Sequence, residues 1–471
     1  MSDTTSDTSD TVSGGPLDTS GAPIVGPCDA ARCAAAGCVP TACVGAGLAS
    51  NDEVFERSTR AIPGGVNSSI RAFSSVGGRP YSVASAEGAH VTDVEGRRYI
   101  DLVQSYGAVI LGHAHPAVTA AVTTAAAAGT SYGAPTPREM RLAETIAAAV
   151  PSCEQVRFMN SGTEATSTAV RLARGATGRD RVVIFHGNFH GATDALLAAG
   201  GSGVATLGLP GTAGVPAGAV AETMVLPYNE VPELTDEVAA VIVEPVAANM
   251  GVIAPEPGFL AGLRAECDRV GAVLVFDEVI TGFRLGRGGA QAREDVRPDL
   301  TTFGKVIGGG LPIGAVGGRR ELMEHLSPLG PVFHAGTLAG NPIATAAGLA
   351  ALDLLTDDVY IELMARARHL SAVLRDACAS AGFAAQFPVV GTLVGIVCGD
   401  VPRPIDFDGA KRTDEAAYAR FFHAMLGEGV AMAPGAYEAI FVGLAHTDDV
   451  IDRIGAAAER AARSAGGPPG G

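Results

Sequence analysis

Lysine is nearly missing from this 471-residue chain: only two of its 33 basic residues, Lys305 and Lys411, are lysine, and the rest are arginine. Basic charge as a whole is short as well, with 50 acidic residues, a formal net charge of -17 and a pI near 5.0. A nucleic-acid binder needs a basic face to neutralise phosphates, so that class is excluded. Long apolar runs are also lacking. The most apolar stretches, such as residues 195–220, are broken by Gly and Pro, and none is an uninterrupted span of roughly 20 residues that would cross a bilayer. The opening MSDTTSDTSDTVSGG has neither a basic n-region nor an apolar h-region, and it is not the Arg-rich, acid-poor pattern of a transit peptide. A cytoplasmic protein without membrane or nucleic-acid partners is expected. Walker A and G-x-G-x-x-G fingerprints are absent too, so nothing points to a nucleotide.

The eight cysteines fall into two groups. Cys153, Cys267, Cys378 and Cys398 are scattered singly and read as reduced core residues. Cys28, Cys33, Cys38 and Cys43 recur every fifth position in the N-terminal segment, but C-x4-C steps match no strong ligand pattern. Incidental thiols in a tail are favoured over a metal or iron–sulfur site. His113 and His115 in GHAHP resemble a metal pair, yet Pro116 follows and no carboxylate stands at zinc-site spacing, so structural roles are expected and no metal is assigned.

What is present suits an α/β enzyme: 47% hydrophobic residues, and 62 glycines for tight strand-to-helix turns. Residues 1–48 are rich in Ser, Thr, Asp, Gly, Pro and Ala and read as a disordered extension. Residues 49–110 hold an amphipathic stretch, NDEVFERSTRAI, and strand-like pieces with a Glu-Gly turn at 95 and 96. From 111 to 340, apolar strands (RVVIF, AAVIVEP, AVLVFDEV) alternate with helical segments, which predicts a mostly parallel central sheet with helices on both faces. Residues 341–462 read as a smaller α+β domain, and 463–471 as a disordered tail.

The chemistry begins with Lys305. A chain that uses arginine almost everywhere keeps one lysine in the apolar, glycine-rich TTFGKVIGGGLP. Arginine cannot form a Schiff base, whereas lysine can. Taken alone, a surface lysine after a strand fits equally well, and Gly308, Gly309 and Gly310 read as a turn behind it. Two apolar strands run into carboxylates, Glu244 and Asp277, and ligands of open α/β sheets collect beyond strand C-termini. A carboxylate abutting VLVF needs a cationic or hydrogen-bonding partner. A protonated pyridine nitrogen would serve; so would a helix N-terminus or an ion pair. Ser161, Gly162 and Thr163 stand just ahead of a helical segment, which makes either a phosphate seat or an ordinary cap. A phosphate seat without nucleotide motifs, a lone lysine and a strand-end Asp together describe pyridoxal phosphate.

NSGTEA, VIVEP, VFDEVITGFR, PDLTTFGK and GTLAGNP make the chain, from about Asn51 to about Arg460, resemble the class III (fold type I) aminotransferases. RAIPGGVNSSIRAF, LGHAHP, GSGVATLGLPGTAGVP, PYNEV and GLAHTDDV narrow the resemblance to an aminomutase branch of that family. The resemblance implies a fold type I transferase using pyridoxal 5'-phosphate and pyridoxamine 5'-phosphate on a small amino or oxo acid. It implies a homodimer. Lys305 would anchor the cofactor and shuttle protons, and Asp277 would pair with its ring nitrogen. Ser161, Gly162 and Thr163 would hold the phosphate, helped by Thr337 from the neighbouring subunit. Phe189 would lie on the ring, with Glu244 and Asn249 framing it. Ser68, Arg71, Tyr106 and Glu438 match substrate-contacting positions, and residues 200–218 match a mobile gating loop. The departures are NSSIR for NSPVR, SYGA for SWGP, NFHG for CYHG, and His334 for a glutamine. They leave the cofactor reading intact and keep an intermolecular amino transfer open beside the intramolecular one.

Overall fold

The structure, a computed structural model, describes residues 50–198 and 212–466. The cysteine-bearing extension, the first part of the expected gating loop and the last residues of the expected tail lie outside that range.

Three short strands come first: β1 (Val83–Glu87), β2 (His90–Asp93) and β3 (Arg98–Asp101), paired antiparallel. The turn between β2 and β3 passes through Glu95 and Gly96, the latter at φ 81°, a conformation that suits glycine. This is the turn read from the sequence. β3 then takes a parallel partner, Val430–Ala431, from the far end of the chain. The core beneath mixes both ends: Phe73, Ile100 and Leu102 pack with Leu370, Phe421, Phe422, Ile451 and Ile454. Helices Asp357–Ser380, Glu415–Gly427 and Asp448–Ala465 supply the late residues. In the last of these, Ile451, Ile454, Ala458, Ala461 and Ala465 are buried at alternating steps of three and four, one face of a helix. It extends three residues into the segment expected to fray from 463.

The main sheet has seven strands: β4 (Gln155–Met159), β5 (Arg181–Phe185), β6 (Thr223–Leu226), β7 (Val238–Val243), β8 (Val273–Asp277), β9 (Leu300–Gly304) and β10 (Gly314–Gly318). Their order is β4-β10-β9-β8-β7-β5-β6. Only β10 runs against the rest. Alternate residues face opposite ways: Val182 and Ile184 meet helix Gly162–Thr177, while Val183 and Phe185 meet helix Phe259–Val270. The mostly parallel sheet between helices is therefore present as expected. Glycine in β10 is a packing requirement, since a Cβ on Gly314 would sit 2.1 Å from the Ser161 carbonyl.

Helix Pro342–Leu354 differs from the expected boundary at 341. Its Ala344, Ala351 and Leu352 share a core with Leu142, Ile146 and Ile307 beside the main sheet. A helix this apolar reads the same whichever unit buries it. Among the described residues no helix is long and apolar enough to cross a membrane. The four scattered cysteines are free and buried, and burial pushes the thiols up to about 12.

Candidate active site

Parallel strands bring their C-terminal ends to one edge, and every cofactor residue read from the chain except Thr337 lies there. β8 ends on Asp277, Glu244 follows β7, Lys305 follows β9, and Phe189 lies in the loop after β5. A cavity of about 210 Å³ opens among Gly162, Thr163, Phe189, His190, Glu244, Asn249, Asp277 and Lys305.

Lys305 occupies a left-handed conformation, φ 49°, at the first residue after β9. Fully buried Val306 and Ile307 pin that turn from behind. A non-glycine residue held there is strained, and such strain persists where surrounding packing over-determines it. Burial lowers the amine below the ordinary lysine range; the carboxylates of Asp277, Glu244 and Glu438 push it back up, and the Arg284 charge adds to the lowering.

Asp277 is almost fully buried, and both of its oxygens have partners. Its Oδ2 lies 2.7 Å from His190 Nδ1, while Oδ1 accepts from Thr302 Oγ1 at 2.9 Å and from the Val279 amide at 3.1 Å. Thr166 Oγ1 donates to the His190 carbonyl at 2.6 Å, which fixes the histidine backbone. Glu244 is held similarly. Oε1 accepts from the Phe189 amide and Asn249 Nδ2, at 2.7 and 2.9 Å, and Oε2 from the Ala248 amide at 2.9 Å. Burial pushes its carboxyl above the ordinary range, against the pull of His190 and these donors.

The residues fit a pyridoxal phosphate. Helix Gly162–Thr177 begins at the cavity, and its first amides lack intrahelical acceptors, a ready anion seat. Ser161 caps this helix, its Oγ accepting from the Glu164 amide at 3.2 Å. Gly191 lies so close to the helix start that a Cβ would meet Thr163 Oγ1 at 2.5 Å. His190 Nε2 is a buried polar atom with no partner among the described residues, on the cavity wall. An amine, a carboxylate, a flat aromatic and an anion seat complete the set. No group of three or more His, Cys, Asp or Glu able to hold a metal occurs among the described residues. His113 Nε2 instead bonds Asp101 Oδ2 at 2.7 Å.

Thr337 lies apart, exposed, lining a groove with Ser131, Tyr132 and Asn341 rather than the cavity of its own chain. The residues expected to contact substrate come from distant segments. Ser68 and Arg71 share one turn, the Arg71 amide donating to the Ser68 carbonyl at 3.0 Å. Tyr106 packs against the buried cluster to which the cavity residues Val246 and Ile280 belong, and it feels the charges of Glu438 and Arg71. Glu438 is buried, and its charge also reaches Lys305. His190, Thr302 and Arg284 were not singled out from the sequence. His190 was visible inside NFHG, but its partner lies 87 residues away, and no spacing rule links them.

Residues 73–455 match the family model for class III aminotransferases. A glutamate-1-semialdehyde 2,1-aminomutase of Desulfovibrio desulfuricans is 51% identical over 410 residues, covering 85% of this chain and 96% of that protein. Among solved structures, an omega-transaminase from Sphaerobacter thermophilus superposes with TM-score 0.81 at 32% identity, covering 90% of this chain and 100% of the other. A glutamate-1-semialdehyde aminomutase from Pseudomonas aeruginosa PAO1, in complex with PMP, gives TM-score 0.77 at 26% identity, over 87% and 93%.

Proposed function

The chain belongs to the class III aminotransferases, and from that premise we propose that it is an aminomutase converting glutamate 1-semialdehyde to 5-aminolevulinate. Likeness to aminomutases over nearly their whole length supports this choice within the family. The observation that carries the chemistry is the cavity at the strand ends. There the depressed amine of Lys305 shares a pocket with Asp277 and lies in the field of Glu438.

Bound pyridoxal or pyridoxamine phosphate would supply an electron sink and an exchangeable amine. The protein would do the rest. Asp277, held by His190, Thr302 and the Val279 amide, keeps a proton on the ring nitrogen. Thr163, Gly162 and Ser161 seat the phosphate at the helix start, with Thr337 of a second subunit completing it in a homodimer. Phe189 would cover the ring, and Glu244 and Asn249 would help frame it. Arg71 offers a two-pronged donor for the substrate carboxylate, beside Ser68. Lys305 Nζ would take a proton from the carbon on one side of the transferred nitrogen and return it to the carbon on the other side, which needs the neutral amine that burial favours. Residues 200–218, as a gate, would retain the diamine formed between the two transfers.

The test is turnover of glutamate 1-semialdehyde with no added amino donor. Formation of 5-aminolevulinate by the wild type and none by Lys305→Ala is expected. Turnover only when a second amino compound is added would overturn the proposal. That outcome would favour the second reading, an intermolecular class III aminotransferase, which Tyr106, Phe189 and His334 at the departing positions support.

A further inference from the structure

Gln104, Ser105 and Tyr106 form three successive left-handed residues, with φ of 46°, 52° and 54°, and Gly107 follows at 93°. Side chains resist this conformation, so a run of three must be held from outside. Asp101 holds one side: Oδ1 accepts from the Val103 amide at 2.9 Å and Oδ2 from the Gln104 amide at 3.1 Å. Arg284 holds the other. Its Nη2 donates to the Gly107 carbonyl at 2.8 Å and its Nη1 to the Val442 carbonyl at 3.1 Å.

Arg284 has no solvent exposure, its guanidinium lies 5.3 Å from the centre of the Phe441 ring, and its Nε has no partner among the described residues. Among the described residues its side-chain hydrogen bonds go to backbone carbonyls, not to a carboxylate. Such a charge is costly to bury where an apolar side chain could fill the space. The base of the residue is fixed: Thr392 Oγ1 donates to the Arg284 carbonyl at 2.9 Å, and the Tyr360 hydroxyl to the Phe283 carbonyl at 2.8 Å. The turn cannot relax inward either. A Cβ on Gly107 would meet the Phe441 ring at 2.6 Å and Arg284 Nε at 3.3 Å.

We propose that Arg284 is a positioning residue for substrate selection: it clamps the left-handed turn Gln104–Gly107 against Phe441 and so sets Tyr106 as a wall of the substrate pocket. The proposal rests on the pocket assigned above. Arg284 follows the loop that leaves Asp277, so the clamp ties the cofactor strand to the wall residue. The small carboxylic substrate then meets a ring whose position the protein, not the ligand, decides.

The chain contains no tryptophan, so Tyr106→Trp would introduce a single fluorescent reporter at the wall. In cofactor-loaded Tyr106→Trp enzyme, emission should be blue-shifted and quenched by energy transfer to the cofactor. Adding Arg284→Gln should shift emission to the red and remove about half the quenching or more, because the turn is released. Arg284→Gln alone should raise KM for glutamate 1-semialdehyde about tenfold, with kcat within about threefold and cofactor absorbance kept. Arg284→Lys, reaching one carbonyl at most, should fall between, and it serves if the glutamine variant does not fold. Unchanged emission and KM in a folded Arg284 variant would refute the clamp. A parallel fall of KM quality, kcat and cofactor retention would show a merely structural role. Should the parent enzyme not act on glutamate 1-semialdehyde, the substrate assignment fails while the emission result still judges the clamp.

Discussion

His190→Leu tests how the cofactor carboxylate is held. Asp277 accepts three hydrogen bonds, and the His190 contact, at 2.7 Å, is the shortest. Leucine fills the space but donates nothing, leaving a buried carboxylate short of one partner. A hydrogen bond to a charged group contributes about 1.5–3 kcal/mol. At about 1.36 kcal/mol per factor of ten, the ring-nitrogen pairing should weaken by roughly ten- to a hundredfold. His190→Asn places an amide near the Nδ1 position and should restore most of the loss, to within about threefold of wild type.

The assay is titration of each apoenzyme with pyridoxal phosphate by visible absorbance, followed by kcat for donor-free turnover. His190 is argued to act through Asp277, so the absorbance band and its dependence on pH should change in the leucine variant. Urea unfolding without cofactor should separate this from lost stability, because both substitutions keep the surrounding core filled. Equal losses in the asparagine and leucine variants, or a leucine variant within threefold of wild type, would refute the reasoning. The unpartnered Nε2 makes this site sensitive, since nothing else among the described residues anchors the ring.

Three further outcomes are expected. Gly314→Ala forces a Cβ to within 2.1 Å of the Ser161 carbonyl, so it should cost about 1–3 kcal/mol in urea unfolding and loosen pyridoxal phosphate binding at the helix start. Glu438→Gln removes a charge that stabilises the Lys305 ammonium; the acid limb of the kcat–pH profile should therefore move to lower pH, and a shift to higher pH would contradict the assignment. His446 is buried, and burial lowers it from 6.5 to about 4. The unfolded chain thus binds this proton more readily, so folding stability should be full above pH 6.5 and decline as pH falls toward 4. The decline is bounded near 3 kcal/mol and should flatten in His446→Gln, measured by urea unfolding at each pH.

Legibility in the sequence followed the range over which each feature is encoded. Asp277 and Lys305 are legible as candidates because one ends an apolar strand and the other directly follows one, and the alternation of apolar runs with helical segments announces a parallel sheet. β10 is not legible as a strand. GAVGG carries little β-propensity, and its glycines answer to neighbours far along the chain: Ser161, Cys153 and Asp299. Helix Pro342–Leu354, expected to open the smaller domain, shares a core with Leu142, Ile146 and Ile307 beside the main sheet, partners that its own apolar pattern does not name.

The same contrast separates cofactor chemistry from substrate choice. Every group proposed to act on the ring comes from one edge of one sheet, a geometry that parallel strands enforce whatever the substrate. Arg71, Tyr106 and Glu438 instead come from the two ends of the chain, which meet in the core built around Phe73, Phe421 and Ile454. Substitutions at the first set should abolish reaction with every substrate. Those at the second should change which substrate is accepted, because they move a wall rather than the reacting centre. A solved omega-transaminase superposes with a TM-score of 0.81 and a solved aminomutase with 0.77, so backbone likeness leaves the reaction undecided. Discrimination falls to the few side chains around Tyr106, and to the buried guanidinium of Arg284 that holds their turn in a conformation it would not adopt alone.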